Sequence, residues 1–234
     1  MKKLIIASVL ALLPMLSQAA GGGVHLEPAN VDISDQASLQ RGAKTFINYC
    51  LSCHSASFQR YNRMGQDLGL TDAQVKENLM FASEKVGDTM TIAMSAADGA
   101  KWFGTAPPDL SVIARARGAD WLYTYFTTFY ADDARPFGVN NAVFADVGMP
   151  HVLVALEGGL KTAIRDEHHV ITGYEPPISA EYEELARDLT NFLVYVGEPS
   201  QLKRRQMGVW VLLFLGVFFV LTYLMKKEYW KDIH

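Results

Sequence analysis

Only two cysteines occur in 234 residues, so no disulfide framework organises this fold. Internal repeats and low-complexity tracts are missing, which excludes solenoids and biased disordered segments. Period-two alternation of apolar and polar residues is nearly absent, so a mostly α fold is expected. Positive charge is not in excess either: 21 Lys and Arg stand against 25 Asp and Glu. Between residues 21 and 202 the balance is 23 acidic against 13 basic residues, a net charge of −10. A field of that sign argues against nucleic acid and favours a basic partner.

The two ends carry what the middle lacks, long apolar runs. Residues 1–20, M-K-K-L-I-I-A-S-V-L-A-L-L-P-M-L-S-Q-A-A, open with Lys2 and Lys3, continue apolar from Leu4 to Leu16, and close on the small residues Ser17, Ala19 and Ala20. This pattern is a secretory signal peptide, and its apolar run is short for a membrane span. Met207 to Met225 is free of charge; as a helix rising ~1.5 Å per residue it is roughly 28 Å long, the thickness of a bilayer core. Trp210, Tyr223 and Trp230 lie where interfacial aromatics lie, and Lys226, Lys227 and Lys231 follow. Lys203, Arg204 and Arg205 precede the run, so flanking charge does not orient it and the export signal must. The organisation expected is a signal peptide (1–20), a periplasmic domain (21–202), a transmembrane helix (207–225) and a cytoplasmic tail (226–234), giving a single-pass protein of the inner (cell) membrane.

Both cysteines fall in one pentapeptide, C-L-S-C-H, from Cys50 to His54. Cys-x-x-Cys-His is the attachment pattern of haem c: two thiols bond the haem vinyl groups and the adjacent histidine binds the iron. A thioredoxin-like pair would need a strand–turn–helix setting, and a zinc site would need a second Cys or His pair; the sequence supplies neither. Leu39, Ala43, Phe46 and Cys50 recur at spacings of four, three and four, so an apolar helix stripe leads into the motif.

An iron that only relays electrons needs a sixth ligand in both oxidation states, and a thioether favours the ferrous one. Met64, Met80, Met90, Met94 and Met149 are available, and most methionines are core fillers. Met149 stands apart in V-G-M-P-H, between a permissive Gly148 and a stiffening Pro150. His25, His151, His168 and His169 compete for the same role, His151 most directly; His168 and His169 sit in a polar stretch that reads as exposed loop.

Thr71 is the expected cap of a helix beginning T-D-A-Q-V-K-E-N-L, and Asp109 or Ser111 the start of one carrying Arg115 and Arg117. Those arginines suit haem propionates and suit plain solvent equally. Residues 121–130, W-L-Y-T-Y-F-T-T-F-Y, suit a wall on a flat cofactor or ordinary core. Residues 131–176, rich in Gly, Pro, Asn and Asp, read as irregular loop around Met149. After Pro176 and Pro177, Ser179 caps an amphipathic helix with Tyr182, Leu185, Leu189, Phe192 or Leu193, and Val196 on one face, ending at Gly197.

Taken together, C-L-S-C-H, A-P-P-D-L-S-V-I-A-R-A-R, G-M-P and one C-terminal span followed by lysines resemble the cytochrome c1 family, haem subunits of the bacterial cytochrome bc1 complex (ubiquinol–cytochrome c oxidoreductase). The resemblance covers essentially the whole exported chain. It implies a mostly α c-type cytochrome domain with long loop insertions plus one C-terminal transmembrane helix. It also implies one covalent haem c on Cys50 and Cys53, with His54 and Met149 as iron ligands. Arg117, and less directly Arg115, would meet a propionate, with Pro108 and Trp121 against the macrocycle. The implied partners are cytochrome b, the Rieske iron–sulfur protein as donor and a basic cytochrome c as acceptor, within a dimeric complex in the membrane. Two departures stand out: His151 occupies a position where some relatives have proline, and no further cysteine pair exists for the disulfide of some bacterial relatives. Two other readings stay open on the residues: a haem subunit of a terminal oxidase or nitric oxide reductase, and a peroxidase or gas sensor with an open iron.

Overall fold

The structure, a computed structural model, describes residues 25–231; the expected signal peptide and the last three residues of the tail lie outside them. Helix dominates. Helix α1 (Gln36–Thr45) starts where the Asp35 carboxylate accepts the Ser38 amide at 3.1 Å. It runs on through a wider π turn, Phe46–Cys50, into the C-L-S-C-H motif. The stripe Leu39, Ala43, Phe46 and Cys50 is buried, as its spacing predicts.

Strand β1 (Ala56–Arg60) precedes α2 (Tyr61–Asp67) and α3 (Asp72–Asn78), and pairs antiparallel with β2 (Thr89–Met90). Thr71 and Gln74 close a reciprocal capping box at the head of α3. Helix α4 (Ala96–Phe103) is capped by Ser95, and α5 (Ile113–Arg117) is set off from α6 (Ala119–Thr127) by Gly118 at φ +92°. Neither Asp109 nor Ser111 caps α5; Val112 precedes it without a side-chain bond. Asp109 instead accepts the Ser111 amide at 2.7 Å and the Ser57 amide and hydroxyl at 2.9 and 2.7 Å. The Pro-Pro-Asp segment is thereby stapled to β1.

The stretch expected as loop holds more order than its composition announces. Strands β3 (Phe129–Ala131) and β4 (Val139–Asn141) pair, the short helix α7 (Val154–Glu157) follows, and β5 (Thr162–Arg165) and β6 (Ile171–Glu175) form a hairpin. Each strand has only three to five residues, too few to raise a period-two signal. The hairpin's turn is made by Asp166, which accepts the amides of His168 and Val170 at 2.9 and 2.8 Å. His168 and His169 are exposed there.

Helix α8 (Ala180–Gly197), capped by Ser179, is the central beam. Of its predicted face, Tyr182, Leu189, Phe192, Leu193 and Val196 are buried against α1 and α6, while Leu185 is only partly buried. Helix α9 (Gln201–Tyr229) is long and apolar enough to cross a membrane, and none of its residues is buried in the rest of the chain. It contains the whole apolar run from Met207 to Met225.

The crossing of α1 and α8 is close because residue 42 is glycine. A Cβ there would lie 2.1 Å from the Asp188 carbonyl oxygen and 2.7 Å from the Phe192 Cβ. Arg41 clamps the same spot, its Nε and Nη2 on Asp188 Oδ2 and Oδ1 at 2.5 and 2.9 Å. Because backbone cannot yield as a side chain can, Gly42→Ala is expected to destabilise by about 3 kcal/mol, the upper end of overpacking losses. The midpoint of urea unfolding measures this; an unchanged midpoint would show that the helices separate without cost.

Candidate functional site

Two adjoining cavities, about 370 and 80 Å³, open beside the C-L-S-C-H motif and share Cys50, His54, Thr105, Pro108, Gly148 and Met149 on their walls. Together they form one crevice in the size range of small-molecule and cofactor pockets, about 300–1,000 Å³. Cys53, Tyr49 and Pro107 border the smaller part; Arg117, Trp121, Tyr125, Phe126 and Phe144 border the larger. Helix α6 contributes Trp121, Leu122, Tyr125 and Phe126 because these fall on one helical face.

Each chemically active group is held by a different segment. The π turn ends at Cys50, where burial and then the nearby Cys53 push the thiol pKa up to about 12; both cysteines are free. A buried thiol that keeps its proton is a poor partner for stray oxidants. His54 Nδ1 lies 2.7 Å from the Pro108 carbonyl oxygen. Burial draws its imidazole pKa below the usual histidine value, against the opposing pull of that carbonyl and of Asp109. A neutral imidazole that donates from Nδ1 leaves Nε2 free to bind a metal.

Met149 is partly buried and packs on the core, and its sulfur accepts the Tyr125 hydroxyl at 3.4 Å. Gly148 borders both cavities, and a Cβ on it would make only ordinary contacts with protein, 3.6 Å or more. Its backbone freedom is therefore not demanded by the protein around it. Arg117 lies on the wall with its guanidinium 5.0 Å from the Trp121 ring centre and 5.9 Å from that of Phe144. Arg115 turns the other way, to Glu198 at 2.9 Å, and is not on the wall.

His151 also leaves the crevice. Its ring stacks on Phe129, 4.7 Å away and 2° from parallel, and Nε2 meets Glu157 Oε2 at 2.5 Å. Glu157 in turn pairs with Lys161, whose ammonium also donates to the Thr127 carbonyl at 2.8 Å. The three side chains are at most 4% exposed. His25 pairs loosely with Glu27 at the surface. Among the described residues, then, the one histidine on the crevice wall is His54.

This donor set fits a haem of the c type: two free thiols and an adjacent imidazole, a thioether on the same crevice, apolar and aromatic walls, and an arginine at the edge to meet carboxylates. Of the residues singled out in the sequence, Cys50, Cys53, His54, Met149, Pro108, Arg117 and Trp121 come together, and Arg115 does not. Tyr125 was missed. The aromatic run pointed to its helix, but only packing selects which hydroxyl reaches the sulfur.

The Cytochrome C1 family model matches residues 29–233. Cytochrome c1 of Allochromatium vinosum is 51% identical, the alignment covering all of both chains. A protein of Nitrosomonas europaea named ammonia monooxygenase gamma subunit is 47% identical over all of this chain and 98% of its own. Cytochrome c1 of Rhodospirillum rubrum is 26% identical over 99% of this chain and 97% of its own.

Proposed function

Since the chain belongs to the cytochrome c1 family, we propose that it is the haem c subunit of a bc1-type ubiquinol–cytochrome c oxidoreductase, relaying single electrons from a Rieske iron–sulfur protein to a basic cytochrome c. The observation that carries this reading is the convergence of Cys50, Cys53, His54 and Met149 on one apolar crevice. In it the two thiols would hold one haem covalently, and His54 and Met149 would bind its iron. When bound, the haem supplies a one-electron ferric–ferrous couple.

The chain's own residues do the rest. The Pro108 carbonyl fixes the His54 ring and its tautomer. Trp121, Phe126, Phe144 and Leu193 make the crevice walls apolar, and a low local dielectric strengthens electrostatic interactions inside. Arg117 would neutralise a propionate, and Trp121 and Pro108 would pack on the macrocycle. With His54 and Met149 both on the iron, the chain would leave no open position for bond chemistry, which suits a carrier. Residues 21–202 would lie in the periplasm, 207–225 would cross the inner membrane beside cytochrome b, and 226–234 would face the cytoplasm, with residues 1–20 removed on export. The net charge of −10 over 21–202 supports a basic acceptor. The bc1 setting also makes a dimeric complex the expected assembly.

Purification in mild detergent tests this. The chain is expected to keep its haem through denaturing electrophoresis and to copurify with a b-type cytochrome and an iron–sulfur protein. Added ubiquinol should reduce it, and a basic cytochrome c should reoxidise it. Haem released by acidic acetone, or copurification with an oxidase core instead, would overturn the proposal.

A further inference from the structure

Tyr125 has a polar atom on the crevice wall for which the reading above has no use. The residue lies on α6 and is 9% exposed. Its ring stacks on Trp121, 5.0 Å away and 12° from parallel, and meets Phe126 and Phe129 edge-on at 5.8 and 5.0 Å. Three aromatic contacts leave the ring little freedom, so the direction of its hydroxyl is set by packing. Among the described residues that hydroxyl has one partner, the Met149 sulfur, at 3.4 Å.

A thioether sulfur has two lone pairs. One accepting the Tyr125 O–H leaves the other for the crevice, which selects among the orientations an unbranched, three-torsion side chain would otherwise sample. Accepting a hydrogen bond also withdraws electron density from the sulfur. Weakening that donor costs a ferric iron more than a ferrous one, because the higher charge gains more from donation.

We propose that Tyr125 is a positioning residue for Met149, holding the sulfur toward the crevice and raising the reduction potential of the haem bound there. The proposal rests on Met149 being the iron's sulfur ligand. The step it acts on is the gain of one electron by ferric iron and its later loss; the phenol keeps its proton in both states, so no proton need move. Tyr123, on the same helix, provides the control. Its hydroxyl accepts from Arg187 at 3.4 Å and is not on the crevice wall.

The test is a spectroelectrochemical titration of the detergent-solubilised complex carrying wild-type chain, Tyr125→Phe or Tyr123→Phe, with the sulfur-to-iron absorption band recorded alongside. Tyr125→Phe is expected to keep the band and to lower the reduction equilibrium constant about threefold to tenfold, the range of one hydrogen bond, which at 59 mV per tenfold is a fall of about 30 to 60 mV. Tyr123→Phe should leave the midpoint in place. A fluorotyrosine introduced at 125, of nearly the same shape and a stronger donor, should raise it, and this arm stands even if the phenylalanine variant assembles poorly. A midpoint unmoved by either change, with the band present, overturns the role of Tyr125 and leaves Met149 as ligand. A wild-type chain without the band overturns both.

Discussion

Met149→Leu is expected to abolish the sulfur-to-iron band of the oxidised protein and to lower its midpoint potential by on the order of 100 mV, a fraction of the ~0.8 V that axial ligands command. The substitution is nearly volume-conserving and should cost the fold less than about 1.5 kcal/mol, so the spectrum would report ligation and not collapse. Leucine has no lone pair, which would remove the second protein ligand proposed for the iron and leaves the Tyr125 hydroxyl without an acceptor. The vacated position should then bind carbon monoxide, which the wild-type chain should resist. His151 is in no position to substitute, since its ring is stacked on Phe129 and bonded to Glu157 outside the crevice. A band that survives in the variant would remove Met149 from the proposed site and reopen the electron-transfer reading.

The second large effect is expected at Glu157, far from any electron. Glu157→Gln keeps the shape of the side chain but withdraws the one carboxylate between His151 and Lys161. Removing one partner of a buried ion pair costs about 3–5 kcal/mol. Burial already draws the Lys161 ammonium below its ordinary pKa, against the pull of Glu157. Unpaired, it would give up its proton more readily still, which places the expected loss near the lower bound. The sign with pH follows from the same shift. Between its folded-state pKa and 10.5, Lys161 binds protons more tightly in the unfolded chain, so its contribution to stability rises with pH there. Urea titration measures the loss, and Lys161→Met added to Glu157→Gln should recover part of it, because it removes the ammonium that Glu157→Gln leaves buried without its counter-charge. A loss under about 1 kcal/mol for Glu157→Gln alone would mean that the pair is not buried in solution.

These two positions lie within one segment, 149–161, that composition marks only as loop. Its order comes from contacts that no local pattern announces: Lys161 reaches the end of α6 at Thr127, and His151 lies against β3. Helix ends were far more legible. Thr71 and Ser179, expected as caps, each accept an amide three residues ahead, as Asp35 and Ser95 also do, since a cap is a bond between near neighbours and its residue types are few. Asp109 shows the limit of that logic. It has the chemistry of a cap, yet its carboxylate turns partly to Ser57, 52 residues away, because two further donors wait there.

The amino-acid sequence by itself determined whatever depends on spacing along the chain: the C-L-S-C-H motif, the buried stripes of α1 and α8, the uncharged run inside α9 and the mostly helical class. Periodicity and covalent distance act over a few residues, and no packing is needed to read them. Tertiary structure alone decided between candidates of equal chemistry. It brought Met149 to the crevice and took His151 away, set Arg117 on the wall while Arg115 turned to Glu198, and aimed one hydroxyl of an aromatic run at a sulfur. The physical reason is that each choice is settled by a partner tens of residues distant, whose position exists only once α1, α6 and α8 have packed.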